Sequence, residues 1–175
     1  ENGDQLLIVE APAISTPVKT RTVTQNAAET VLKSVVEQIS PQLTPDQRET
    51  LEAVNIEIVD LAGDTLGRAV PGTIYIDVNA AGFGWFVDAT PTDNSEFSSA
   101  SELSLIALPD SEAAGHVDLW TVILHELGHL LGYEHADDGV MQESLSVGER
   151  HLADWNDDTD DFFIELTQGT EMTDF

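Results

Sequence analysis

The chain has 175 residues, of which 41% are hydrophobic, and its 33 Asp and Glu residues against 6 Lys and Arg give a formal net charge of −27. Its length and apolar content predict one folded domain with a core and exclude a disordered chain, and the absence of Cys excludes disulfides. The charge disfavours nucleic acid and anionic membrane surfaces, and it favours divalent cations and basic substrates or, equally, simple solubility in a saline or calcium-rich medium.

Residues 1–24 are predicted to be an N-terminal arm or linker in front of a single domain over residues 25–175. Gln5–Val9 is a short apolar run that is compatible with a strand, and residues 11–24 are rich in Thr, Pro and Ala. The chain begins without a signal peptide, and no apolar run approaches the length of a membrane span. We therefore expect a mature form or an excised domain without membrane insertion, either a monomer or one domain of a larger chain.

Two helices are predicted next. Asn26-x-x-Glu29 has the pattern of a capping box, and Pro41 ends the helix that follows it. Thr44 then opens a second, shorter helix that runs to about Ala53. The apolar residues of the first helix recur with the i, i+3, i+4 spacing of an amphipathic helix, at Ala28, Val31, Leu32, Val35, Val36 and Ile39.

The period then changes to that of strands. Alternating apolar and polar residues predict strands over 54–60, 66–70 and 73–78, and a last strand over 102–108 after a polar loop at 88–101. Helices followed by strands and a further helix indicate an α+β fold. The order of the strands in the sheet does not follow from the sequence.

A central helix is predicted from Asp118, which is a good N-cap residue. It is apolar on almost every side, so we expect it to be buried. Gly128 would normally cost about 1 kcal/mol inside a helix, which indicates that another segment approaches it closely. The apolar stripe of this helix consists of Trp120, Ile123, Leu124, Leu127, Leu130 and Leu131, with Leu119 and Val122 beside it.

This helix carries the pattern H-E-x-x-H-x-x-G-x-x-H over residues 125–135. His125 and His129 stand four residues apart, so both imidazoles lie on one helical face and can reach one tetrahedral metal ion. Gly132 takes the left-handed conformation cheaply, ends the helix and returns His135 as a third ligand. Three protein ligands leave a fourth position open, which is typical of a catalytic zinc site rather than a structural one.

Glu126 follows the first histidine and points to the side of the ligand face, where it can act on water without binding the metal. A short H-E-x-x-H can arise by chance on a helix, but the longer pattern holds three of the five histidines of the chain. A degenerate, inactive copy is the more serious alternative. The other two histidines, His116 and His151, are predicted to have surface or capping roles.

The segment resembles the active site of the metzincin clan of zinc endopeptidases. The resemblance implies that His125, His129 and His135 bind Zn²⁺, that Glu126 is the general base, and that a methionine turn containing Met141 lies beneath the metal. It also implies a twisted, mixed and mostly parallel sheet above the active-site helix, a long first helix, and an edge strand that aligns substrate.

A narrower resemblance is carried by residues 84–97, 117–135 and 140–145 and extends over about residues 54–152. It is to metzincin-like modules of large secreted bacterial calcium-binding repeat proteins, which implies an extracellular location. Some metzincins place a tyrosine two residues after the turn methionine, but this chain has Glu143 there, so no tyrosine role is carried over. We interpret Tyr133, inside the zinc pattern, as a packing or rim residue.

Two acidic stretches are weaker candidates for Ca²⁺, which binds several oxygen ligands. One is the run 154–161, which lacks the spacing of an EF-hand and is more simply a solvated turn. The other is the loop that contains Asp88, Asp93, Asn94 and Glu96.

The predicted function is therefore hydrolysis of peptide bonds in protein or peptide substrates by a zinc-activated water, with Glu126 as base. The alternative is a zinc-containing binding or adhesion module with little or no activity, since an intact motif can lie in a blocked cleft. A purely structural zinc ion is a weaker third possibility.

Overall fold

The computed structural model describes residues 6–10 and 21–153 and shows an α+β fold with mixed sheets and three α-helices in that part of the chain. The helices are α1 (Gln25–Ile39), α2 (Pro45–Glu52) and α3 (Leu119–Leu130). The strands, in chain order, are β1 (Leu6–Glu10), β2 (Asn55–Val59), β3 (Thr65–Val70), β4 (Thr73–Asp77), β5 (Trp85–Phe86), β6 (Phe97–Ser99), β7 (Ser104–Ala107), β8 (Val117–Asp118), β9 (Ser144–Ser146) and β10 (Glu149–His151).

Both predicted N-terminal helices are present, and one of their caps differs from the prediction. The Thr44 side chain and the Gln47 side chain form a capping box at the start of α2. At α1 the N-cap is Thr24, whose hydroxyl accepts a hydrogen bond from the N–H of Ala27, so the predicted box at Asn26 is wrong. The predicted apolar stripe of α1 is confirmed, because all six of its residues are buried.

The main sheet has five strands in the order β2-β4-β3-β1-β9. Two neighbouring pairs are parallel, β2 with β4 and β1 with β9, and two are antiparallel, β3 with β4 and β1 with β3. The mixed sheet is confirmed, but it is not mostly parallel. The reason is that β3 and β4 form a hairpin through a turn at residues 71–72, and two-residue hairpins can join only antiparallel strands.

The first strand of the main sheet lies in the region predicted to be an arm or linker. Leu6–Glu10 is a strand, as the apolar run Gln5–Val9 allowed, and it lies between β3 and β9 inside the sheet. The division of the chain near residue 24 stays a prediction. The edge strands of this sheet are β2 and β9, whereas β3, which packs on α3, is covered by β1. That an edge strand aligns substrate stays a prediction.

A second sheet of β10-β7-β6 and a two-stranded pair of β5 with β8 complete the fold. The predicted last strand is confirmed in part as β7, and β6 lies inside what was predicted to be a continuous loop. A small apolar cluster of Phe86, Phe97, Leu105 and Ala113 packs beneath this second sheet.

The helix α3 is central, as predicted. It packs against α1 and against β3, β4 and β1, and ten of its twelve residues are buried. Its apolar residues join those of α1 and the main sheet in one large core. Within the described ranges, no helix is both long and apolar enough to cross a membrane.

Candidate metal centre and active site

The structure brings the three predicted metal ligands together. Ligand atoms of His125, His129 and His135 all lie within 4.8 Å of one another, and the centroids of their rings are 4.6 to 5.3 Å apart. The helix ends where the sequence predicted, since Leu131 is the C-cap and Gly132 has a φ of 100°. The turn after Gly132 is what returns His135 to the helical pair.

Hydrogen bonds fix the tautomers of the two helical histidines. Nδ1 of His125 lies 2.7 Å from the carbonyl oxygen of Val140, and Nδ1 of His129 lies 2.9 Å from that of Tyr133. Because a carbonyl only accepts, each Nδ1 must carry the proton. Each Nε2 atom is then unprotonated and presents a lone pair, and the two Nε2 atoms lie only 2.9 Å apart. Two acceptors this close repel each other unless a cation lies between them.

The donor set therefore fits zinc. Three neutral imidazole nitrogens suit this ion, and Nε2 of His135 is buried without a hydrogen-bond partner in the part of the chain that the structure describes. Burial lowers the pKa of His125 to about 3 and lowers that of His129, and in each case the neighbouring His135 adds to the shift. Both rings are thus held in the uncharged form that binds metal.

Met141 lies directly against the active-site helix. It belongs to a short 3₁₀ turn, Gly139–Met141, and it is buried. A Cβ atom on Gly128 would collide with the sulfur atom of Met141, so the predicted close approach to Gly128 is confirmed. The same turn supplies the Val140 carbonyl that binds His125. The assignment of this segment as a methionine turn stays a prediction.

Glu126 lies beside the metal ligands and is wholly buried, with an exposed fraction of 0%. Burial raises the pKa of its carboxyl well above the usual value, and the nearby backbone N–H groups of Leu7 and Ala69 oppose this. Neither N–H reaches hydrogen-bonding geometry, so both carboxylate oxygens lack a partner among the described residues. A raised pKa suits a group that must accept and release a proton near neutral pH.

Gly67 makes room for this carboxylate. A Cβ at Gly67 would lie 2.9 Å from Oε1 of Glu126 and 3.0 Å from Cγ1 of Val122, so any larger residue on β3 would push the carboxylate aside. Gly67 is a site residue that was not predicted from the sequence. A lone glycine inside a predicted strand was the signal that could have found it, because such a glycine often marks a close approach.

Arg150 holds the beginning of α3 in place. Its guanidinium binds both carboxylate oxygens of Asp118 at 2.8 and 2.9 Å, and it also binds Asp88 at 2.9 Å and Asn94 at 3.1 Å. Asp118 is the N-cap position as predicted, but its side chain binds Arg150 and the Thr121 hydroxyl instead of a backbone N–H.

The same hydrogen bonds occupy two of the side chains in the loop that was a candidate for Ca²⁺ binding. Asp88 and Asn94 bind Arg150, and Asp93 accepts a hydrogen bond from the backbone of Ser95. No group of metal-binding side chains other than the histidine triad is found in the described ranges. The acidic run 154–161 lies outside the described residues.

The two remaining histidines are buried, so the predicted surface location is wrong. Nδ1 of His116 donates to the carbonyl of Ala114, and Nε2 of His151 lies 3.0 Å from Glu149. Both residues lie in the short strands and loops that close around α3, where the packing leaves little access to solvent.

Tyr133 and Glu143 lie close to the metal ligands. Tyr133 packs against the core, as predicted, and its carbonyl binds His129. The side chain of Glu143 is 76% exposed, and Oε2 lies 3.9 Å from Nδ1 of His135. At that distance it is not a hydrogen bond, but it places a negative charge beside the third ligand.

Comparison with known proteins identifies the chain. The family model for matrixin, a peptidase family, matches residues 25–162, which is most of the chain. No curated protein and no solved structure matches it significantly. The matched region includes the three histidines, Glu126 and Met141.

Proposed function

Because the chain belongs to the matrixin family, we propose that it is a zinc-dependent endopeptidase that hydrolyses peptide bonds with Glu126 as the general base. The observation that carries the proposal is the convergence of two deprotonated Nε2 atoms and His135 beside a buried carboxylate that has no partner of its own.

Zinc bound by the three histidines would polarise the scissile carbonyl and lower the pKa of water to about 7. The chain's own groups do the rest. Val140 and Tyr133 hold the histidines in the tautomer that presents Nε2. Glu126 takes the proton of the attacking water and delivers it to the leaving amine, so the carboxylate is regenerated in each cycle.

The experiment is the pair Glu126→Gln and Glu134→Gln. Both remove one carboxylate from the motif, but Glu134 is exposed on the turn before His135. Hydrolysis of a denatured protein substrate should fall by about 10²–10⁴-fold in Glu126→Gln and should hardly change in Glu134→Gln. Zinc content by elemental analysis should be one per chain in both, and should be lost in His129→Ala. Equal hydrolysis by the two glutamine variants would show that Glu126 is not the base.

One observation favours the alternative of a binding module without activity. The general base is fully buried, and a peptide cannot reach a carboxylate with no exposed surface. A folded parent protein that holds one zinc ion per chain and cleaves neither an added protein nor itself would support that alternative.

Three further parts of the proposal come from the resemblance and from composition. They are an extracellular location, a protein or peptide substrate with a preference for basic segments, and calcium as a second cation. The net charge of −27 supports the substrate preference, since such a surface attracts cationic chains at low ionic strength. Calcium rests on composition alone, and elemental analysis tests it together with zinc.

A further inference from the structure

The third metal ligand is held less firmly than the other two. His125 has an exposed fraction of 0%, whereas the side chain of His135 is 25% exposed. His135 lies on the irregular segment between the end of α3 and the 3₁₀ turn that contains Met141. A hydrogen bond of 2.9 Å from the N–H of Ala136 to the carbonyl of Met141 fixes the backbone beside it. That bond does not determine which way the imidazole of His135 faces.

The ring of His135 must nevertheless present one particular nitrogen. Its Nε2 is buried without a partner among the described residues, as expected for the atom that faces the other two ligands. A neutral imidazole carries its proton on one nitrogen only, so Nε2 can bind a metal ion only when the proton is on Nδ1. In His125 and His129 a carbonyl oxygen at Nδ1 enforces this tautomer. His135 needs an acceptor of its own at Nδ1.

Glu143 is the acceptor that the structure places beside this nitrogen. Its Oε2 lies 3.9 Å from Nδ1 of His135, and its side chain is 76% exposed, so the carboxylate can rotate. A movement of about 1 Å would bring the two atoms to the distance of a charge-assisted hydrogen bond. The main chain of Glu143 stays in place during this movement, because its carbonyl accepts a hydrogen bond from Ile8 and the next residue, Ser144, begins β9.

A carboxylate in this position would do more than a carbonyl. When a ligating histidine donates its other N–H to a carboxylate, the tautomer and the ring orientation are fixed and the ligating nitrogen becomes more basic. The simpler interpretation is that Glu143 is one of 33 acidic residues and acts on a cation only through the net charge. The two interpretations differ in whether the contact with His135 matters.

We propose that Glu143 is a positioning residue of the metal centre, whose carboxylate accepts the Nδ1–H of His135 and holds this ring in the tautomer that presents Nε2 to the metal ion. The proposal rests on the proposed function, because it concerns the zinc site of that function. Glu143 acts through His135 and touches neither the metal ion nor the substrate. The two helical ligands are then oriented by main-chain carbonyls, and the third is oriented by a side chain.

The test compares the zinc affinity of three variants with that of the parent protein, by competition with a fluorescent zinc chelator at neutral pH. Glu143→Ala removes the acceptor, and Glu143→Gln keeps an acceptor without the charge. Glu134→Ala is the matched control, because it removes the same charge from an exposed residue next to His135. Both glutamates are exposed, so the variants should fold like the parent.

We expect Glu143→Ala to weaken zinc binding by about 10–100-fold, which is the usual effect of removing the outer partner of a ligating histidine. Glu143→Gln should lose less, because its amide oxygen still accepts from Nδ1. Glu134→Ala should change the affinity by less than about threefold, since an exposed charge without a contact acts only through a screened attraction. An equal loss in Glu143→Ala and Glu134→Ala would show that net charge alone is responsible, and it would overturn the proposal.

Nitrogen NMR of the imidazoles in the zinc-loaded parent reads the tautomers directly. We expect all three histidines to bind zinc through Nε2. In Glu143→Ala the Nδ1–H of His135 should exchange with solvent at least about tenfold faster, because a hydrogen bond to a charged group is lost. The same protons of His125 and His129 should be unaffected, since their acceptors are main-chain carbonyls. Zinc bound through Nδ1 of His135 in the parent would overturn the proposal, because Glu143 would have no proton to accept.

Hydrolysis of a denatured protein by the same samples separates this proposal from the proposed function. An unchanged zinc affinity in Glu143→Ala, with hydrolysis by the parent intact, would remove only the role of Glu143. The expected loss of affinity, in samples of which none cleaves the substrate, would support the role of Glu143 and would remove only the enzymatic function.

Discussion

Replacing Arg150 by Met should destabilise the domain strongly. The side chain is 1% exposed and is bound to Asp118 and Asp88, whose side chains are each 2% exposed. Burial alone would lower the pKa of Arg150, but its bonds to Asp118 and Asp88 raise it, so the charge is held firmly. The methionine would fill most of the space and leave two buried carboxylates without a cationic partner.

The magnitude follows from that loss. Removing one partner of a buried ion pair costs about 3–5 kcal/mol, which corresponds to a fall in melting temperature of about 6–20 °C for a domain of this size. Arg150→Lys keeps the charge but not the two-pronged contact with Asp118, so it should lose about 1–3 kcal/mol. Lys33→Met is the matched surface control. Its ammonium lies 3.9 Å from Glu37 at 77% exposure, and its loss should cost less than about 0.5 kcal/mol.

The assay is thermal unfolding by circular dichroism in the presence of a chelator, because bound zinc would add to the stability of every variant and mask the difference. A loss below about 1 kcal/mol in Arg150→Met would refute the reasoning. It would mean that Asp88 and Asp118 find other partners or water when the guanidinium is removed.

Three more predictions concern the site. Gly67→Ala should lower hydrolysis by about 10–100-fold with zinc content unchanged, because a methyl group there displaces Glu126; unchanged kinetics would contradict this placement. Gly128→Ala should lower the free energy of unfolding by about 1–3 kcal/mol by overpacking against Met141, and by less when Met141 is also changed to Ala. An equal loss in both backgrounds would show that the cost does not come from contact with Met141. Without metal, the domain should lose up to about 1.4 kcal/mol of stability per pH unit as pH falls from 6.5 towards 3, because the pKa of His125 is about 3 in the folded state against 6.5 and only the unfolded state binds its proton in that range. Glu126 acts in the opposite sense, since burial raises its pKa and its contribution is lost as pH rises, so unfolding curves should show a steeper acid loss in Glu126→Gln.

The helices and the metal ligands were predictable because their signals are local. A 3.6-residue period and a glycine at the helix end determine where the imidazoles of residues 125–135 lie, whatever the rest of the fold does. The strands were predictable as segments for the same reason. Their order was not, because pairing depends on contacts between distant residues, as with β1 between β3 and β9.

Arg150 shows how a long-range contact leaves only a faint trace in the sequence. No other Lys or Arg follows Arg68, so Arg150 is an isolated cation in a strongly acidic chain. That isolation indicates a specific role, since one cation does little for the net charge. It does not reveal the partners, because Asp88 and Asp118 are two of 33 acidic residues and are brought to Arg150 only by the folded chain.

The metal ligands are local in sequence, whereas the groups around them are not. The ligands come from eleven consecutive residues, but the groups that orient and cover them come from elsewhere. Packing of Met141 on Gly128 places the Val140 carbonyl 2.7 Å from Nδ1 of His125, which fixes the tautomer. Gly67 on β3 leaves room for the Glu126 carboxylate, and β1 covers it. A chain can therefore keep every residue of its zinc motif while segments far away in sequence determine how exposed the carboxylate beside the metal ligands is.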